Sequence, residues 1–305
     1  MDNNITDINP SLQFEDIKSE KNKVVGGTLY LVATPVGNLA DLSERAVKVL
    51  SEVDFIAAED TRNSMRLLRY LGIQKPMVSY FEHNKKSHGQ LICDKLLAGE
   101  SCALVTDAGT PAISDPGEDI VKLCAENNIP VSSIPGPCAA ILALTLSGLP
   151  TLRFCFEGFL SAEKKERRDR LTKLKYEYRT MIFHEAPHKL ITTLSDMKEI
   201  FGEERRISLC RELTKLNEEV MRTTLSGACE YYAEHSPRGE YVLVVEGCDE
   251  NAVQTEESRN LLSMSIQEHV QFYIDSGMSK NDAIKKTAKD RGVHKNEIYQ
   301  VVMVK

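Results

Sequence analysis

Residues 106–117 read Thr-Asp-Ala-Gly-Thr-Pro-Ala-Ile-Ser-Asp-Pro-Gly. They follow an apolar run of strand length, Ser101 to Thr106, and precede a helical pattern over Glu118 to Asn127. Gly109 and Gly117 permit backbone conformations that other residues resist, while Pro111 and Pro116 stiffen what lies between. Open α/β sheets bind ligands in loops of this kind, at the carboxyl ends of their strands. Read alone, the stretch also fits a long connector with capping residues. It is neither a dinucleotide fingerprint nor a phosphate loop: no G-x-G-x-x-G follows a strand, and no Gly-Lys-Ser/Thr occurs.

Working outward, the same alternation recurs on both sides. Leu29 to Ala33 is a strand-length run ending at Pro35, with Gly37 and Asn38 as turn residues. Ser43 caps a helix with Ala46, Val47 and Leu50 at helical spacing. Asp54 to Ala58 is the next strand, and TRNSMRLLRYLG a helix stopped by Gly72. After residue 117, VSSIPG is strand plus turn, and Cys138 to Leu146 an apolar helix. Pro35-Val-Gly-Asn38 and Ile134-Pro-Gly-Pro-Cys-Ala-Ala140 are thus two more unusual loops at strand ends. Free N–H groups at the second suit a carboxylate or phosphate. In a parallel sheet such loops share one edge and can converge.

A second series opens after Leu149-Pro150: RFCFEGFL, a charged helix (Ala162 to Lys175), the strand Thr180 to His184, a helix from His188 to Ile200 and the strand Arg206 to Cys210. EEVMRTTL, a short helix, and the strand Tyr241 to Gly247 close it. The expected organisation is a flexible tail over 1–26, α/β domains over 27–149 and 150–248, a linker over 249–260 and a helical module over 261–305. Sheets covered on both faces follow from the alternation.

With 38 Lys/Arg against 45 Asp/Glu, the net charge of −7 excludes a globally basic nucleic-acid binder, so any RNA contact uses local patches. The longest nearly apolar stretch, Cys138 to Leu149, is short of the roughly 18 residues of a membrane span. The polar N-terminus has no signal-peptide core, so a cytoplasmic location is expected. Eight cysteines include no C-x-x-C pair and read as reduced, mostly buried thiols.

LYLVATPVGNLADLSERAVKVL, AAEDTR, VTDAGTPAISDPG, SSIPGPCAAILALTLSGLP, FCFEGFL and FHEAPHKL resemble the tetrapyrrole-methylase-like superfamily of S-adenosylmethionine enzymes. More closely, they resemble the bacterial ribosomal RNA small-subunit methyltransferase I family, over roughly Gly27 to Gly247 plus a C-terminal helical module. The resemblance implies a class III methyltransferase: two α/β/α domains, S-adenosyl-L-methionine in the cleft between them, and a homodimer. The implied reaction is 2′-O-methylation of a cytidine in the decoding region of 16S rRNA in the small ribosomal subunit. By the family pattern Pro35, Thr110, Pro111, Ile113, Ser114, Cys138 and Ala139 line the cofactor from the first domain. Phe183, His184, Glu212 and Leu213 do so from the second. Cys138 stands where the family often has serine, so a backbone contact survives there and a hydroxyl contact does not.

Methyl transfer to a ribose hydroxyl calls for alignment, and for a base or cation at the emerging alkoxide. Asp60 is the favoured base, Arg62 a bidentate phosphate holder and His83 a further titratable candidate, with Glu59 and Asp107 nearby. Each also has a structural reading: Asp60 as a helix cap, Asp107 as a loop brace, His83 as a surface residue. No metal is called for. Two basic runs offer RNA contacts: Lys164 to Arg170, and Lys280 to Lys305, which reads helix, Gly turn, helix. A same-fold enzyme acting on a tetrapyrrole precursor or a protein, and a non-catalytic ribosome-binding factor, are the alternatives.

Overall fold

The computed structural model describes residues 23–249 and 261–303. The expected tail up to residue 22 and all but Asp249 of the expected linker lie outside the described residues.

Five short strands, β1 (Leu29–Val32), β2 (Phe55–Ala58), β3 (Met77–Ser79), β4 (Cys102–Val105) and β5 (Val131–Ile134), form a parallel sheet of order β3-β2-β4-β1-β5. Its central strands are continuously apolar because helices cover both faces. On one face α1 (Glu44–Glu52) and α2 (Thr61–Tyr70) bring Val49, Leu50 and Leu68 against Val32, Ile56 and Val105. On the other, α3 (Lys85–Leu97) and α4 (Gly117–Glu126) bring Ile92, Leu96 and Ile120 against Leu31, Phe55 and Leu104. Ser43 caps α1 as read, its hydroxyl accepting from the Ala46 N–H at 3.1 Å. Neither β3 nor α3 stands out in the sequence: β3 is three residues long, and α3 opens on the polar run KKSHGQ.

The second sheet is mixed. β6 (Phe154–Phe159) runs parallel to β7 (Thr180–Glu185), while β10 (Tyr241–Val245) is antiparallel to β7 and to β8 (Arg206–Arg211), and β8 to β9 (Glu219–Thr224). The order is β6-β7-β10-β8-β9. Strict strand–helix alternation ends here, since β8 passes to β9 through a loop alone. Residues 219–224 are therefore strand, with a helix after them. Helices α6 (Lys164–Leu174), α7 (Pro187–Phe201) and α8 (Leu225–Glu234) cover one face through Leu171, Leu190, Leu194 and Leu225.

The other face is covered by α5 (Ala139–Ser147). This helix follows β5 in the chain, yet it packs Ala140, Ala143 and Leu144 against Ile182, Cys210, Val242 and Val244 of the second sheet. It thereby ties the two sheets together, and Arg222 closes its end by donating to the Leu146 carbonyl at 2.6 Å.

The three arginines of the basic run at Lys164 to Arg170 are committed to ion pairs within the fold. Buried Arg167 pairs with Asp196 at 2.8 Å, Arg168 with Asp196 and Glu199, and Arg170 with Glu157. The arginines of this run are therefore not an open RNA patch. The C-terminal residues form α9 (Ile266–Asp275), α10 (Lys280–Arg291) and α11 (Lys295–Met303) around Val270, Ile284, Ala288 and Ile298. Left-handed Gly292 separates the last two, as the helix–turn–helix reading expects. All eight cysteines are free thiols. Among the described residues no helix is long and apolar enough to cross a membrane.

Candidate active site

The three unusual loops follow β4, β1 and β5, three neighbouring strands that run from the centre of the first sheet to its edge, and they are tied to one another. Thr34 and Gly109 exchange backbone hydrogen bonds at 3.0 Å in both directions. The Thr34 hydroxyl donates to the Thr106 carbonyl at 3.1 Å, and the Thr110 hydroxyl to the Pro137 carbonyl at 2.8 Å. Gly136 sits so close to the end of β1 that a Cβ there would lie 2.6 Å from that of Ala33.

The Thr106–Gly117 loop carries strain. Ala112 and Ser114 both have φ of 66°, where side chains other than glycine are disfavoured. Asp115 holds them there: its carboxylate accepts from the N–H groups of Ala112 at 3.1 Å, Ile113 at 3.1 Å and Gly117 at 2.7 Å. Gly117 must be glycine, since a Cβ would fall 2.8 Å from the Ala112 nitrogen. A matching loop follows β8, where Glu212 and Thr214 have φ of 51° and 64°. Thus four of the five non-glycine residues with positive φ in the described chain lie in these two loops. Such strain persists where surrounding structure over-determines it, and it clusters at functional sites.

Each of the two loops meets an element of the other unit. A Cβ on Gly37 would collide with the Lys215 side chain, and a Cβ on Gly158, at the β6 bulge, would lie 3.4 Å from the Ser114 hydroxyl. Lys215 is fixed by Glu212 at 2.9 Å and Glu240 at 2.8 Å.

Beneath lies a cleft of about 470 Å³. Ala139, Cys210, Leu213 and Val242 give it apolar walls, and His184, Lys215 and Glu240 give it polar ends. His184 alternates with Phe183 along β7, so Phe183 enters the hydrophobic core and His184 faces the cleft. The His184 ring lies edge-to-face with Phe156 and Phe159 at 5.2 and 5.3 Å, and its buried Nε2 has no hydrogen-bond partner among the described residues. Burial pushes its pKa below the ordinary 6.5, so it is neutral at pH 7. The N-terminus of α5 reaches the same cleft at Ala139, and Cys138 gives it no side-chain cap. Its orphan N–H groups remain available to an anion.

Of the residues expected to hold the cofactor, Ala139, His184 and Leu213 line this cleft directly. Pro35 immediately precedes Val36, which also lines it. Thr110, half-buried, and Pro111, buried, belong to the tied loops, while Ile113 and Ser114 are exposed at the strained crest. Glu212 lies at the rim through its bond to Lys215, and Phe183 can offer only backbone. Of the expected catalytic trio the structure joins Asp60 and Arg62, while His83 bonds to neither among the described residues. Asp60 caps α2, accepting from the Arg62 N–H at 2.8 Å, and both its oxygens bind the Arg62 guanidinium. Those bonds hold its carboxyl below the ordinary range, which makes it a weak proton acceptor. His83 is exposed against Phe81. Glu59, beside Asp60, shifts the opposite way: burial, with Asp107 and Asp115 nearby, raises its pKa. Sequence reading missed Lys215, Glu240 and Tyr241, which no local motif marks. It passed over Asp115 as well, although the Asp-Pro-Gly triplet is itself a signal for a side-chain-stapled turn.

The family profile Tetrapyrrole (Corrin/Porphyrin) Methylases matches residues 28–229. A ribosomal RNA small subunit methyltransferase I of Halalkalibacterium halodurans is 49% identical over 275 residues, covering 90% of this chain and 94% of that protein. The protein of that name from Bacillus subtilis is 47% identical over 279 residues, covering 92% and 95%. The chain belongs to the ribosomal RNA small subunit methyltransferase I family. Solved structures extend the likeness of fold beyond this family of methyltransferases. A uroporphyrin-III C-methyltransferase from Thermus thermophilus superposes with a TM-score of 0.52 at 19% identity, covering 72% of this chain and 94% of that one. A cobalt precorrin-4 methyltransferase gives a TM-score of 0.54 at 14% identity, covering 72% and 95%. The resemblance read from the loop motifs is thus borne out for family and for fold.

Proposed function

We propose that this chain transfers a methyl group from S-adenosylmethionine to small-subunit ribosomal RNA, at the ribose 2′-oxygen of a cytidine in the decoding region, working as a cytoplasmic homodimer. The observation that carries the cofactor is the cleft itself. It combines apolar walls, a buried His184 Nε2 without a partner among the described residues, and the uncapped N-terminus of α5. Leu213 and Val242 suit an adenine face, the His184 nitrogen a heteroatom of the base, and the α5 N–H groups a carboxylate. A Thermus thermophilus uroporphyrin-III C-methyltransferase of this fold was solved complexed with S-adenyl homocysteine, which supports this class of cofactor. The RNA acceptor is supported by the names of the relatives that cover nine-tenths of the chain.

When bound, the cofactor supplies an activated methyl on sulfur. The protein's own task is to align a hydroxyl with that methyl, to exclude water and to receive a proton. Tied and strained loops meet the first need, because groups held rigid lose little freedom on reaction. Of the two carboxylates at the end of β2, Glu59, its pKa raised by burial, is a stronger proton acceptor than Asp60, and neither lines the cleft itself. The test is methyl transfer from labelled S-adenosylmethionine to small subunits lacking the modification, mapped to the nucleotide. Label on a decoding-region ribose supports the reading. Tight binding of S-adenosylhomocysteine without label would overturn the RNA acceptor while keeping the cleft.

A further inference from the structure

The acidic chain needs a local surface for RNA, and the arginines of the basic run in α6 are spent on internal ion pairs. Helix α2 is different. From Thr61 to Gly72 it carries Arg62, Arg66 and Arg69 and no acidic residue. At 3.6 residues per turn the three arginines fall within about 60° of arc. They lie opposite Ser64 and Leu68, the buried side of the helix. All three are exposed: the Arg62 side chain is 87% accessible even while it touches Asp60. Among the described residues Arg66 and Arg69 have no carboxylate partner, and Arg69 donates only to the Met65 sulfur. Tyr70, 69% exposed, ends the stripe with an open ring. The helix starts directly beyond the carboxyl end of β2, beside the loops that build the cleft, and runs down the flank of the domain.

We infer that this face of α2 is an RNA-docking surface, on which Arg66 and Arg69 bind successive phosphates of the strand that enters the site and Tyr70 stacks on an unpaired base. The inference rests on the rRNA methyltransferase reading and adds to it where the substrate lies. Arg66 and Arg69 are about 4.5 Å apart along the helix axis, and Arg62 and Arg66 about 6 Å. Long flexible side chains on that spacing can follow a backbone one phosphate at a time. Exposed guanidinium groups with no carboxylate partner, as at Arg66 and Arg69, give up no ion pair by turning to phosphate.

The experiment uses the full chain, with small ribosomal subunits lacking the modification as the probe. Binding is measured from 50 to 200 mM KCl for wild type, Arg66→Gln/Arg69→Gln and Arg66→Lys/Arg69→Lys. Loss of two single-strand phosphate contacts lowers the slope of log affinity against log salt by about 1.4, and lowers affinity at 0.1 M salt by about 25-fold. KM for the subunit should rise with kcat unchanged, S-adenosylhomocysteine binding should stay as in wild type, and the lysine pair should restore most of the salt slope. If wild type methylates the subunit and the glutamine pair keeps its affinity and slope, the docking surface is overturned and the methyltransferase reading stands. A glutamine pair that changes sedimentation behaviour would assign the face to contact between copies and overturn the proposal. If wild type neither binds nor methylates the subunit, the functional reading fails and this inference falls with it.

Discussion

Replacing Asp115 with alanine separates stability from ligand affinity in a way the loop geometry quantifies. The carboxylate accepts three backbone N–H groups, at 3.1, 3.1 and 2.7 Å. Charge-assisted bonds in a half-exposed loop contribute about 1.5 kcal/mol each, and so about 4.5 kcal/mol together. They oppose the left-handed conformations of Ala112 and Ser114, which cost about 3 kcal/mol as a pair. The staple therefore exceeds the strain by about 1.5 kcal/mol, and the alanine variant, free to relax, should lose only about that much stability. Its ligand-binding geometry must then be restored by the ligand itself. That loss of about 3 kcal/mol corresponds to roughly 150-fold weaker binding. Asparagine keeps the oxygen facing Ala112 and Gly117 and turns a donor toward Ile113, so its affinity should fall in between, by about tenfold. Urea unfolding and calorimetric titration with S-adenosylhomocysteine read the two quantities separately. An alanine variant binding within threefold of wild type would refute the idea that the strained crest is part of the binding surface.

Three further outcomes are expected. Glu59 has a folded pKa raised above its ordinary 4.5, so the stability it contributes is present below pH 4.5 and is lost as pH rises. Glu59→Gln should accordingly be more stable than wild type at pH 7 and converge with it in acid; parallel urea midpoints across pH would contradict this. His184, lowered below 6.5, contributes stability that is present above pH 6.5 and fades as pH falls through its folded value. His184→Gln should flatten that acid limb, seen by thermal melts from pH 7 to 5. Arg167→Met strands Asp196 with Arg168 alone and should cost about 3 kcal/mol in urea unfolding, the low end for breaking a buried pair. It should leave the salt slope of RNA binding untouched; a lower slope would return α6 to the RNA surface.

Local sequence carried much of this molecule. Glycine and proline restrict the backbone where they stand, so the loops at Pro35, Gly109 and Pro135 announced themselves, and Ser43 announced its helix. Apolar runs bounded by such residues marked the strands that flank the cleft. β3 escaped because three half-buried residues make no pattern, and the helix after it because its first turns are polar. What sequence could not show depends on partners far along the chain. Whether Arg167 meets RNA or a buried carboxylate rests on Asp196, 29 residues away. That Phe183 turns to the core and His184 to the cleft follows from strand register and from α5, which leaves its own sheet to cover the other. Lys215 reaches the cleft from the loop between β8 and β9 and Glu240 from the residue before β10, and the strain at Ala112, Ser114, Glu212 and Thr214 exists only because the folded loops enforce it. Periodicity and turn chemistry are local and survive in one dimension. Burial, charge pairing and enforced backbone conformation arise only when distant segments share the same space, and they decided which legible residues form the site.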